Sequence, residues 1–106
     1  MKHPETPDGR YFVVKGRLWR KSNPNLSDIV RQLLVNSLMT ARRSIHKFRD
    51  DPHRLKFYRN CVQSAKLCLG ERGAVWWTDG APDENRKMAM NSSYSEWWGA
   101  FKTDAE

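Results

Sequence analysis

The chain has little of what builds metal centres, disulfide frameworks or membrane spans. It contains two cysteines, three histidines and no long apolar run in its 106 residues. Cys61 and Cys68 fall within one helical pattern, about 10 Å apart along its axis, too far for a disulfide, so two reduced and mostly buried thiols are expected. His3, His46 and His53 are scattered, and neither cysteine has C-x-x-C spacing, which leaves no readable zinc or iron site and no expected cofactor. No apolar stretch approaches the roughly 18 residues that span a bilayer. The opening MKHPETPDGR lacks the apolar core of a signal peptide, so a cytoplasmic setting is expected. A G-x-S-x-G elbow is absent, and the GERG segment lacks the Lys-Ser/Thr that completes a phosphate loop.

What the chain does have is positive charge and aromatic rings. Five Trp, four Phe and three Tyr compensate for a hydrophobic content of 39%, enough for the core of one small domain spanning 1–106. The net charge of +7 is uneven: residues 1–50 hold eleven Lys/Arg against four Asp/Glu, and residues 71–106 hold four against seven. A basic first half favours a polyanionic partner, nucleic acid foremost.

Residues 1–9, with Pro4, Pro7 and Asp8-Gly9, read as a loose arm. Residues 10–22 read as a β-hairpin turning at Lys15-Gly16. A two-residue loop pairs Phe12 with Trp19 and Val14 with Arg17, and places Tyr11, Val13, Leu18 and Arg20 on the opposite face. A longer, bulged loop would shift that register. Ser27 caps a helix over 27–50, whose apolar stripe runs through Val30, Leu34, Leu38, Ala41, Ile45 and Phe48 and is widened by Ile29, Leu33 and Met39. Asp51-Pro52 starts a second helix over 52–69, striped by Leu55, Tyr58, Val62, Ala65 and Leu69 and stopped by Gly70. The two form an antiparallel helical hairpin. Residues 70–82 read as an irregular Trp-rich loop, with a third short strand expected at Val75–Trp77. Residues 83–102 read as short helices, the last opened by a Ser93/Glu96 capping box. The fold class is thus mostly α (α+β).

Two acids, Asp79 and Asp83, flank Gly80-Ala81-Pro82, and turn and capping chemistry explains them better than acid–base or metal chemistry. Catalytic residues are therefore expected to be absent, and the chain reads as a non-enzymatic binding module. Its leading partner is nucleic acid, met by Arg17, Trp19, Arg20 and Lys21 on the β-hairpin and by Arg42, Arg43 and Lys47 on the first helix. The competing expectation is a homo-oligomeric protein-interaction module. It would use a loop made of Glu71, Arg72, Trp76, Trp77 and Arg86, one of the two Trp rings being an exposed anchor.

GRLWR at Gly16–Arg20, NPNL at Asn23–Leu26, LMTARR at Leu38–Arg43 and LGERGAVWWTDGAPDENR at Leu69–Arg86 together resemble a family of small uncharacterised bacterial proteins. The resemblance runs from about Pro7 to Trp98. It implies a bacterial cytoplasmic setting and assigns no activity and no site residues.

Overall fold

In a computed structural model the chain forms two compact units, residues 1–21 with 77–106 and residues 22–76. Residues 3–105 are described, with side chains through Lys102. Met1, Lys2 and Glu106, which the expected arm and tail include, lie outside them.

The first unit is built on an antiparallel hairpin of β1 (Tyr11–Val14) and β2 (Arg17–Arg20). Its register pairs Phe12 with Trp19 and Val14 with Arg17, as the two-residue loop requires. Lys15 and Gly16 both take positive φ, 52° and 78°, which is the turn whose twist matches the flanking strands. Strand alternation then buries Tyr11, Val13, Leu18 and Arg20 on one face. Two strands need more than each other to be stable, and both edges are covered by backbone. On one side Glu5 bridges Phe12 and the Val13 N–H donates to the Pro4 carbonyl at 2.8 Å. The described part of the segment expected to be a loose arm is therefore tied to the hairpin and carries the buried Thr6, whose hydroxyl accepts from the Tyr11 N–H and donates to Asp8.

On the other side the Arg86 N–H donates to the Leu18 carbonyl at 2.9 Å, and the Leu18 N–H donates to the Lys87 carbonyl at 2.8 Å. Arg17 bridges Met88 there. The strand expected at Val75–Trp77 does not form, and the extended pairing falls instead at Arg86–Met88. Trp77 is instead drawn into the core, with its indole N–H on the Ala81 carbonyl at 2.7 Å. Residues 83–88 make a turn and this bridge rather than a helix. A short 3₁₀ turn at Ala89–Asn91 follows, and then α3 (Ser95–Ala105). The Ser93 hydroxyl goes to the Glu84 carboxylate, so α3 starts at Ser95 rather than at the expected capping box. It continues through Ala105, past the Lys102 at which fraying was expected.

The second unit is the helical hairpin, α1 (Asp28–Lys47) and α2 (Pro52–Leu69). Ser27 caps α1 through the Val30 N–H, and Asp51 caps α2 through the Arg54 N–H with Pro52 in its first turn. Gly70 closes α2 at φ 85°, where a left-handed residue is needed and a Cβ would lie 3.1 Å from Asn23 and 3.2 Å from Trp76. Leu38, Ala65 and Leu69 form the core between the helices, flanked by Leu26, Leu34, Val35 and Val62. That core is thin. Ile29, Leu33 and Met39, expected to widen the buried stripe, are 75%, 61% and 43% exposed, and Phe57 is 62% exposed. Cys61 and Cys68 are free thiols, half-buried and exposed rather than mostly buried, because both line an open hollow between α1 and α2 rather than the packed core.

Candidate functional site

Trp77 organises the loop that the sequence singles out. Its ring meets Tyr11 edge-on at 5.7 Å and lies under the Arg10 guanidinium at 4.8 Å, with that of Arg20 at 6.0 Å. Arg10 pairs with Asp79, whose other oxygen accepts the Ala81 N–H and so makes the turn at Gly80. Arg20, with no exposed side-chain surface, pairs with Asp83 at 3.4 Å. Asp83 also accepts the Asn85 N–H, and the Asn85 side chain accepts the N–H of Arg20 at 2.9 Å. The segment Trp77–Asn85 is thus clamped to the hairpin by two arginine–aspartate pairs laid around one indole.

Glu84 completes the clamp. It is 6% exposed and accepts the Ser93 N–H and hydroxyl, while its own N–H donates to the Tyr11 hydroxyl at 2.8 Å. Asp8 accepts the Tyr94 hydroxyl at 2.6 Å. Burial pushes the Asp8 carboxyl up, but the hydroxyls of Tyr94 and Thr6 and the N–H of Arg10 outweigh it and hold it below 3.8. The Ala81 N–H, aided by Arg10, holds Asp79 low as well. Burial first, and the hydrogen bond that the phenol donates to Asp8 second, raise Tyr94 well above the ordinary phenol value. Asp8, Asp79, Asp83 and Glu84 are therefore each engaged in turn, hydrogen-bond or ion-pair contacts. Among the described residues no group of three His, Cys, Asp or Glu could hold a metal ion.

The residues proposed for nucleic-acid contact differ in exposure. Arg20 must be withdrawn as an accessible contact: strand alternation puts it on the buried face, opposite Arg17, Trp19 and Lys21. Arg17 is exposed and donates to the Arg86 carbonyl, Trp19 is half-buried, and Lys21 pairs with Glu5 at 2.8 Å. Arg42, Arg43 and Lys47 are all exposed near the end of α1. Arg43 and Lys47 lie one turn apart on the same face. Of the five residues of the expected interaction loop, Glu71, Arg72 and Trp76 belong to one compact unit and Trp77 and Arg86 to the other. Trp77 is buried, Trp76 is half-buried against Gly70, Arg72 donates to Gln63 of α2, Glu71 donates its N–H to the Lys66 carbonyl, and Arg86 is exposed at φ 74°.

The charge that remains accessible is concentrated at the turn of the helical hairpin. Residues 22–76 hold ten Lys/Arg and four Asp/Glu, a net +6 of the chain's +7. Seven of those cations lie between Arg42 and Arg59, and every one is exposed. Arg54 folds back on its own cap, Asp51, at 3.6 Å. Sequence reasoning missed the buried acid Glu84, the buried Thr6 and the clamp arginine Arg10. The available signal was the strand period, which already placed Arg20 among buried residues and so called for a nearby acid.

No family model, curated protein or solved structure matches the chain.

Proposed function

We propose that the protein is a non-enzymatic, nucleic-acid-associated accessory module that meets the phosphate backbone with the turn end of its helical hairpin. The observation that carries this is the cluster of seven exposed cations from Arg42 to Arg59, against only Asp50 and Asp51 in the same interval. Cations held on two rigid helices keep their spacing. They neutralise successive phosphates and release counterions without reading sequence. The cations of the helical hairpin carry this contact by themselves, and Arg17 and Trp19 belong to the other compact unit. The acidic loop Trp77–Asn85 has a structural task in this reading and makes no contact with the ligand. A bacterial cytoplasm is the setting that goes with it, supported by the two free thiols.

The test is fluorescence anisotropy with labelled duplex DNA, duplex RNA and single strands at low salt. The wild-type chain is expected to bind with little sequence preference. The triple variant R42A/R43A/K47A should bind at least tenfold more weakly while keeping its helical circular dichroism. Absence of binding to all four probes at 50 mM salt, or binding unchanged in the triple variant, would reject the proposal.

A further inference from the structure

Along one side of the helical hairpin α1 and α2 enclose two adjoining hollows of about 510 and 380 Å³, which share Ser37 and Cys61 and so form one continuous groove. Thirteen residues line it and none carries a charge, although 29% of the chain is charged. Its centre is made of small side chains, Ser37, Cys61, Ser64 and Ala65. On its rims stand Leu33 and Phe57, 61% and 62% exposed. Bulky rims and a small-residue floor on one face are complementary to each other.

We propose that this groove is a homodimer interface, closed by the same groove of a second copy. A two-fold axis near Ser37 and Cys61 sets the Phe57 and Leu33 of each copy into the small-residue floor of the other, the self-matching contact of an isologous pair. The four helices then make one bundle, which supplies the second layer that the thin core around Leu38, Ala65 and Leu69 lacks. The uncharged face runs ~12 Å along α1 from Leu33 to Ala41 and ~17 Å along α2 from Phe57 to Cys68, on the order of 300 Å² in plan, which with side-chain relief is the size of a small, reversible interface. Charge points to the same face: two chains of +7 meet with least repulsion where no cation stands. The cations from Arg42 to Arg59 stay outside the groove, so polyanion binding and pairing use different residues and can fail separately.

Sedimentation equilibrium of the full chain decides it. Micromolar protein is expected at twice the 12.5 kDa of one chain. L33E/F57E should sediment as a monomer with its circular dichroism retained, and M39E, which alters an exposed apolar residue outside the groove, should remain a dimer. A C68S chain, with Cys61 as its one thiol, should cross-link to a dimer with a short bismaleimide, because the axis brings the two Cys61 side chains together. A monomeric wild-type chain, a dimer that survives L33E/F57E, or a dimer that cannot be linked through Cys61 overturns the proposal.

Discussion

Replacing Trp77 should unfold the protein far more readily than replacing its neighbour Trp76. Trp77 is 9% exposed and in contact with Tyr11, Arg10 and Arg20. Truncating so large a buried ring to alanine costs roughly 3–5 kcal/mol in transfer and cavity terms. Trp77→Phe keeps most of the ring but removes the indole N–H that the Ala81 carbonyl accepts at 2.7 Å. That loss is worth about 1 kcal/mol, with roughly 0.5–1 kcal/mol more for the weaker attraction of the arginine above the ring. Trp76 is half-buried, so Trp76→Ala should cost about half as much as Trp77→Ala. Urea unfolding followed by far-ultraviolet circular dichroism measures all three from the shift in midpoint at constant slope. A Trp77→Ala cost below about 1 kcal/mol, or a larger cost at Trp76 than at Trp77, would refute the placement of Trp77 at the centre of the clamp.

Three further outcomes follow from the same contacts. Asp83→Asn leaves the wholly buried Arg20 guanidinium facing a neutral partner. Because Asp83 is itself about half exposed, the cost should be about 1–2 kcal/mol rather than that of a fully buried pair, and Arg20→Lys should cost at least as much through lost stacking on Trp77; urea midpoints check both. Stability should form a plateau in pH. The lowered carboxyls of Asp8 and Asp79 stabilise the fold above 3.8 and lose that contribution as pH falls below it. The raised Tyr94 phenol contributes fully below its ordinary value of 10.0 and loses its contribution as pH rises beyond it. Tyr94→Phe should flatten the alkaline limb, which thermal melts from pH 8 to 12 would show. Gly70→Ala sets a Cβ against Asn23 and Trp76 at a left-handed position, and a loss of about 1–2 kcal/mol in the urea midpoint is expected.

The local code was legible where it has a short physical range. Ser27, Asp51, Pro52 and Gly70 each serve as cap, first-turn residue or terminator as their chemistry dictates, and the period of two divided the hairpin faces correctly at Tyr11, Val13, Leu18 and Arg20. The same period argued against Arg20 as a surface contact, yet its charge outweighed that argument in the reading of the sequence. Contacts between residues far apart in the chain were not legible. Nothing local to Pro4–Thr6 or Arg86–Met88 marks them as edges of the hairpin, since each pairs through backbone groups that every residue carries. The helical stripe was also read too wide. Ile29 and Leu33 fit the helical period, but two helices alone cover only a narrow band of each other, and apolar residues beside that band stay exposed.

The proposal that the turn end of the hairpin is a polyanion surface is tested most directly by the salt dependence of binding to duplex DNA. Several phosphate contacts from Arg42 to Arg59 give a log–log slope of about −0.9 per contact, and each arginine or lysine removed from the set should make it shallower by about one unit. A steep slope that R42A/R43A/K47A reduces by about three units is the predicted result. Affinity independent of salt, or a slope untouched by those substitutions, would contradict it.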